Sequence, residues 1–117
     1  LFDGIIIKKI PLLDLSVILD NLVNNSTKAK ATKVHIDFAK DHDMLIVDFS
    51  DNGVGVDSDI VSGNSIFELG ITNRSGGSGI GLSTIKETMH QTLKGDIIFR
   101  GNGLHFDSGA TFRLIFR

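Results

Sequence analysis

The order of the predicted elements indicates an α+β two-layer sandwich, in which a sheet carries its helices on one face. Apolar residues recur at helical spacing in two segments of the chain, and segments of alternating polarity arrive in consecutive pairs. A doubly wound parallel sheet needs a helix between successive strands, whereas runs of strands favour an antiparallel or mixed sheet. The sequence therefore argues against a doubly wound nucleotide-binding fold.

The first half of the chain predicts a strand, a helix and a hairpin. Residues 5–10 form a short β-rich run, and residues 12–29 follow with helical periodicity. Residues 33–38 and 44–49 alternate in polarity around a short polar segment, which predicts a hairpin. The apolar face of the helix is predicted to comprise Leu15, Ile18, Leu19, Leu22 and Val23.

The second half predicts a long loop, a helix and two strands. Residues 51–65 are rich in glycine and aspartate, as loops are, and a helix is expected over residues 80–93. Gly95 is predicted to end that helix at the C′ position. Strands are expected at residues 97–100 and 110–116. The helix is predicted to face the core with Leu82, Ile85 and Met89.

Composition restricts the classes of function that the chain can have. The 117 residues carry a net charge of −2 with no long basic run, which argues against a nucleic-acid partner. No cysteine is present, which excludes disulfides and thiolate metal sites and fits a reducing, cytoplasmic compartment. No apolar segment approaches the ~20 residues that cross a bilayer, so we expect no direct membrane insertion. The chain begins at Leu1, and we expect residues 1–117 to be a single domain excised from a longer protein.

Three polar side chains share one face of the first predicted helix. Asn21, Asn25 and Lys28 lie at positions i, i+4 and i+7. A solvated helix face would have the same pattern. Alternatively, the face binds a ligand, because amide oxygens suit a hard cation such as Mg²⁺ and a lysine suits phosphate.

The segment DNGVGV follows directly after an apolar strand. An ordinary turn explains Asn-Gly, and the spacing of the acidic residues does not match an EF-hand calcium loop. A turn does not explain the second glycine, Gly55. Gly53 and Gly55 would let a flat ligand approach the backbone while Asp51 accepts a hydrogen bond from it.

The segment GGSGIGLSTIKETM combines closely spaced glycines with the start of a helix. It lacks the Gly-Lys-Ser/Thr of a Walker A loop, and its glycine spacing is not that of a Rossmann fingerprint. Glycines that lead into a helix nevertheless direct free N–H groups and the positive helix end at an anion. A phosphate ligand is expected here, although a hinge without catalytic meaning would look the same.

Taken together, these segments resemble the N, G1 and G2 boxes of the GHKL ATP-binding family, which groups gyrase, Hsp90, MutL and histidine kinases. The carrying segments are ILDNLVNNSTKA, DNGVGV and GGSGIGL, in that order. Residues 66–72, IFELGIT, resemble the F box of sensor histidine kinases, and residues 109–112 resemble the Gly-x-Thr of a late strand. The resemblance implies a Bergerat fold, a sandwich with a mixed sheet and a flexible ATP lid.

The resemblance also implies roles for individual residues toward ATP and Mg²⁺. Asn25 would bind Mg²⁺, Lys28 would lie near phosphate, and Asp51 would accept a hydrogen bond from the adenine amino group. Gly53 and Gly55 would let adenine approach. Further nucleotide contacts are implied for the lid, residues 68–79, for the helix start and for the last strand, at Arg74, Gly77, Ser78, Gly79, Ile80, Gly81, Leu82 and Thr111.

Two positions depart from the family pattern. Asn21 stands where hydrolytic members carry a glutamate that activates water, and an amide cannot take that proton. Asp20 points about 100° away around the helix and is a poor substitute. Ser26 replaces a usual alanine, for which we expect little consequence. The histidines, at positions 35, 42, 90 and 105, lack the context of a phosphoacceptor, so we interpret them as structural or surface residues.

The resemblance is strongest to the catalytic domain of a sensor histidine kinase. Such a domain would pass the γ-phosphoryl group of ATP to a histidine on a separate dimerisation domain of the same protein, with a response regulator downstream. The run NNSTKAKATKVHIDF is also similar to MutL- and Hsp90-type members. A clamp-type ATPase, in which ATP binding drives dimer closure, is therefore the alternative, and a nucleotide-sensing module without catalysis is a second one.

Overall fold

The computed structural model describes residues 10–56, 67 and 80–117. Within them, neither helix is long and apolar enough to cross a membrane. The elements are α1 (Leu12–Lys28), β1 (Val34–Asp41), β2 (Met44–Asp51), α2 (Ile80–Gln91), β3 (Asp96–Asn102) and β4 (Ala110–Phe116). Both predicted helices and the four predicted strands that fall within the described residues are confirmed. Of the strand predicted at residues 5–10, only Ile10 is described, and it is not in a strand.

Helix α1 begins after Pro11, whose carbonyl oxygen accepts a hydrogen bond from the Leu15 N–H at 3.0 Å. The helix buries Ile18, Leu22 and Ser26, which are spaced four residues apart and so lie along one line. The predicted apolar face is therefore wrong at Leu19 and Val23, which are 38% and 49% exposed. They lie about 100° around the helix from the buried line.

The sheet has the strand order β1-β2-β4-β3. All of its neighbouring strands pair antiparallel. The mixed sheet that we expected is therefore not found among the described strands, which form a purely antiparallel sheet. Among the described strands, β1 and β3 are the two edges of the sheet.

Both helices pack on the same face of this sheet and against each other. Alternate residues of β4 point into that layer, and the predicted core residues of α2 are confirmed as buried. The core cluster joins the helices to the three strands nearest them and includes Ile18, Leu22, Phe49, Leu82, Ile85, Met89, Ile97, Phe112 and Leu114. The fold is thus an α+β two-layer sandwich, as predicted.

The end of α2 differs from the prediction. The helix ends at Gln91, and Lys94, not Gly95, takes the left-handed conformation, with φ 55°. Gly95 is needed for a different reason, because a Cβ there would lie 2.0 Å from the carbonyl oxygen of Ile115. The glycine therefore lets the chain pass close to β4 as it enters β3.

Candidate functional site

A buried carboxylate at the end of β2 is the centre of the candidate site. Asp51 is 2% exposed, and its Oδ1 accepts hydrogen bonds from the N–H groups of Gly53 (3.0 Å) and Ala110 (3.1 Å). Its Oδ2 accepts a hydrogen bond from the Ser26 hydroxyl at 2.8 Å. Burying a carboxylate is costly unless it is hydrogen-bonded, and these donors fix Asp51 in one orientation.

The start of β4 is shaped to fit this carboxylate. Gly109 has φ 102°, and a Cβ there would lie 1.9 Å from the Asp51 carbonyl oxygen. Only glycine therefore allows the Ala110 N–H to approach Asp51. Thr111 acts one step further away, because its Oγ1 lies 2.8 Å from the Oγ of Ser50 and both residues are buried. The structure thus brings Thr111 to the neighbour of Asp51 and not to its carboxylate.

The loop after β2 is held against the end of α1. The Asn52 side-chain oxygen accepts hydrogen bonds from the N–H groups of Thr32 (2.8 Å) and Lys33 (2.9 Å). The Val54 N–H donates to the Ala29 carbonyl at 3.0 Å. A Cβ at Gly53 would lie 2.6 Å from that same carbonyl oxygen. Gly53 is thus required for the close packing of loop on helix, independently of any ligand.

The second glycine of this loop faces strand β3. Gly55 has φ 81°, and a Cβ there would lie 2.8 Å from the Asn102 side-chain oxygen. The Asn102 amide also holds the next residue at both of its backbone groups, accepting from the Val56 N–H at 2.9 Å and donating to its carbonyl at 2.8 Å. A left-handed turn and a side-chain clamp therefore fix the loop beside Asp51.

The polar face of α1 lies beside the first turn of α2. The Asn21 amide nitrogen donates to the Val17 carbonyl at 2.9 Å, and a Cβ at Gly81 would lie 3.2 Å from the Asn21 side-chain oxygen. Asn25, one turn further along, is half-buried, and Lys28 is exposed in the last turn. The structure thus brings the first and third predicted motifs together at Asn21 and Gly81. Leu82, the residue after Gly81, is buried in the core between the helices and the sheet.

Several predicted contacts fall outside the described residues. These are the lid at residues 68–79 and its members Arg74, Gly77, Ser78 and Gly79. Ile80 begins α2, and its side chain also lies outside the described set. Of the F box, Phe67 is described, and its ring lies edge-on to Phe112 with 6.3 Å between centroids. The F box is therefore anchored in the core at this position.

Sequence reasoning missed two residues of the site and misjudged a third. Ser26 was expected to have little consequence, but its hydroxyl is buried and bonds to Asp51. Its position one residue after Asn25, on the buried line of α1, was the available signal. Asn52 holds a loop by three hydrogen bonds, and Asn102 holds a loop by two. For Asn102 the partner lies 46 residues away, so no local pattern indicates it.

A charged cluster away from this site joins α2 to β3. Oδ1 of Asp96 accepts a hydrogen bond from Lys86 Nζ at 3.0 Å and lies 2.8 Å from His90 Nε2. Burial alone would raise the pKa of Asp96, but the bonds from Lys86, His90 and the Ile97 N–H together hold its pKa below the ordinary value. The cluster therefore stabilises the packing of helix on strand.

The histidines have partners that fit the predicted structural or surface roles. His90 bonds to Asp96, and His42 Nδ1 lies 2.9 Å from Oδ1 of Asp41. His35 and His105 stack on each other with 3.7 Å between ring centroids.

Comparison with known proteins identifies the class. Residues 12–117 match the family of histidine kinase-, DNA gyrase B-, and HSP90-like ATPases. The chain belongs to this family. Within it, the resemblance is to the catalytic, ATP-binding domain of sensor histidine kinases, as the three sequence motifs predicted.

Individual relatives agree with this assignment. The chain is 32% identical over 111 residues to the autoinducer 2 sensor kinase/phosphatase LuxQ of Vibrio parahaemolyticus, covering 84% of this chain and 12% of that protein. The catalytic domain of the histidine kinase ThkA has a TM-score of 0.69 at 21% identity, over 89% of this chain and 67% of that one. The mycobacterial sensor histidine kinase MprB has a TM-score of 0.65 at 16% identity, over 89% and 70%. At these identities the two structures support the fold alone.

Proposed function

We propose that this domain binds Mg·ATP and donates the γ-phosphoryl group to a histidine on a separate dimerisation domain of the same protein. The observation that carries the proposal is the buried Asp51 carboxylate, held by donors from α1, the following loop and β4. Helix α1, which supplies Ser26 to this carboxylate, also carries Asn21 beside Gly81 at the start of α2. We infer a cytoplasmic domain that acts upstream of a response regulator.

Base recognition follows from the chemistry of Asp51. A carboxylate only accepts hydrogen bonds, and adenine presents an amino group that donates. Guanine has a carbonyl oxygen at the same position, which would face the carboxylate as a second acceptor. The preorganised carboxylate therefore favours adenine over guanine nucleotides.

The phosphate end is assigned to α1 and to the start of α2. The exposed Lys28 suits a phosphate oxygen, and the half-buried Asn25 offers a hard amide oxygen of the kind that binds Mg²⁺. A single ligand from the protein is enough, because Mg²⁺ commonly takes its other ligands from water and substrate phosphates. When bound, the ion supplies charge neutralisation. The N–H groups at the start of α2 favour the same negative charge.

The reaction requires no water activated by this domain. The bond between the γ-phosphorus and the β,γ-bridging oxygen breaks, a phosphorus–nitrogen bond forms from the lone pair of the acceptor imidazole, and ADP leaves. The N–H proton of the imidazole ring is released to the solvent. In such transfers the protein mainly positions groups and stabilises charge. Asn21 is compatible with a reaction that needs no activated water, because its side-chain amide donates to the Val17 carbonyl and carries no basic group. The clamp-type ATPase, which needs an activated water, is disfavoured by this side chain.

Phosphoryl transfer to the protein's own acceptor domain, supplied in trans with labelled ATP, tests the proposal. We expect Asn25→Ala to abolish transfer while leaving adenosine binding nearly unchanged, because Asn25 is assigned to the metal and not to the base. Asn24→Ala, an exposed neighbour on the same helix, is the matched control and should transfer normally. Full transfer by Asn25→Ala would contradict the metal assignment. ATP hydrolysis by the wild-type domain alone at about one per second, a typical enzyme rate, would favour the clamp ATPase.

A further inference from the structure

The face of the sheet opposite the helices carries a cluster of three potential metal ligands. Paired residues of antiparallel strands share a face, and His35 and Asp37 of β1 pair with Ser50 and Asp48 of β2. The core residue Phe49 lies between those two along β2 and points to the helices. His35 and Asp37 therefore project together from the outer face.

The loop between β3 and β4 brings the third ligand to this face. His105 lies in the loop of residues 103–109 and stacks on His35 at 3.7 Å with 11° between the ring planes. Nε2 of His35 lies 3.1 Å from Oδ1 of Asp37. One ligand atom each from His35, Asp37 and His105 lie within 4.8 Å of one another. Two imidazoles and a carboxylate thus converge from two distant parts of the chain.

The spacing and the donor types fit a small divalent transition metal. Zn²⁺ bonds imidazole nitrogen and carboxylate oxygen at about 2.0–2.2 Å, which places tetrahedral ligands about 3.4 Å apart. The existing contact between His35 and Asp37, at 3.1 Å, is close to this separation. The rings of His35 and His105 are stacked nearly parallel, so His105, which lies on an exposed loop, must turn out of the stack for its nitrogen lone pair to point at the same ion. Imidazole donors favour Zn²⁺, Ni²⁺ and Cu²⁺ over Mg²⁺, which prefers oxygen.

We propose that His35, Asp37 and His105 bind a divalent transition-metal ion of the Zn²⁺ type, with water in the fourth position. The ion ties the loop of residues 103–109 to the edge strand β1. That loop ends at Gly109 and leads directly into Ala110, whose N–H donates a hydrogen bond to Asp51. The site is separate from the nucleotide site and does not depend on the proposed function.

Calorimetric titration of the whole chain, prepared without a histidine tag, with Zn²⁺ tests the site. We expect one ion per chain and a loss of about tenfold or more in affinity for His105→Ala, since even indirect supporting groups are worth about 10–100-fold. His42→Ala is the matched control, because His42 forms a similarly close pair with Asp41 on the same hairpin, and within the part of the chain that the structure describes no third ligand joins that pair. Its affinity should be unchanged.

Imidazole resonances give a second, independent measurement. Zn²⁺ should shift the ring protons of His35 and His105 and leave those of His42 and His90 in place. His105 is exposed, so the variant His105→Ala should fold. It therefore tests the site even if the second ligand variant, His35→Ala, fails to fold. Equal Zn²⁺ affinity in wild type and His105→Ala, or no saturable binding by the wild type, would overturn the proposal.

Discussion

Replacing Asp51 by asparagine separates the role of this residue in the fold from its proposed role in base recognition. Oδ1 faces the N–H groups of Gly53 and Ala110, so the oxygen of the asparagine amide should take that position. The amide nitrogen then replaces Oδ2 and faces the Ser26 hydroxyl, which can accept as well as donate. The variant should therefore fold, with a loss of about 1–2 kcal/mol in the free energy of unfolding.

Nucleotide affinity should also fall, for a separate reason. With the amide oxygen fixed by two backbone donors, the adenine amino group would meet an NH₂ group in place of a carboxylate oxygen. Loss of a charge-assisted hydrogen bond costs about 1.5–3 kcal/mol, which corresponds to about a 10- to 150-fold weaker Kd for ATP. The guanine carbonyl can accept from the same NH₂ group. The preference for ATP over GTP should therefore shrink.

Calorimetric titration of the wild type and of Asp51→Asn with ATP and GTP measures these effects. Asp48→Asn is the matched control, because Asp48 lies three residues earlier on β2 and projects from the opposite face. There it accepts two hydrogen bonds from Arg113, at 2.8 and 2.9 Å, and one from Arg100 at 3.2 Å. This control should lose stability but keep its ATP affinity. A folded Asp51→Asn protein that binds ATP as tightly as the wild type would refute the assignment of the base.

Three further predictions concern single side chains. Ser26→Ala should weaken ATP binding and lower the free energy of unfolding by about 1–2 kcal/mol in urea titrations, because the Asp51 carboxylate loses a buried donor; no change in either would show the hydroxyl to be dispensable. Asn21→Glu should raise phosphate release modestly, since a carboxylate can act as a base where an amide cannot, and an unchanged rate would argue against water near position 21. The pKa of Asp96 is lowered in the fold, so the hydrogen bonds to its carboxylate stabilise the protein fully when the pH lies above the ordinary pKa of 3.8. That stability is lost as the pH falls through the lower folded value, and Asp96→Asn should unfold with a smaller pH dependence than the wild type between about pH 5 and 2.

The elements of this fold could be read from local patterns, because both helices and strands β2, β3 and β4 bury apolar side chains at regular spacing. Strand β1 alternates in polarity in the same way, although all of its residues are exposed or half-buried. Helix α1, the hairpin and the core residues of α2 were predicted on that ground. The exposure of Leu19 and Val23 could not be predicted in this way, because the positions of α2 and the sheet determine which part of an apolar helix face is covered. The end of α2 was misplaced because the need for glycine at Gly95 arises from Ile115, which is distant in sequence.

The candidate site shows the same division between local and distant causes. Asp51 and the glycines after it were predicted from their position behind an apolar strand. Their structural reasons were not, because Gly53 packs on Ala29 and Gly55 on Asn102. The bond between Ser26 and Asp51 spans 25 residues. Its existence follows from the packing of α1 on the sheet, which no window of sequence contains.

The donors to Asp51 have a consequence for the kinetics of folding. They reside at Ser26, Gly53 and Ala110, and the last lies 59 residues from its acceptor. Closing such separations costs chain entropy before any contact compensates for it, so we expect this constellation to form after the transition state for folding. A nucleotide that needs the complete constellation would then leave the folding rate nearly unchanged and slow unfolding instead. Bound nucleotide would protect the chain by lengthening the lifetime of its native state.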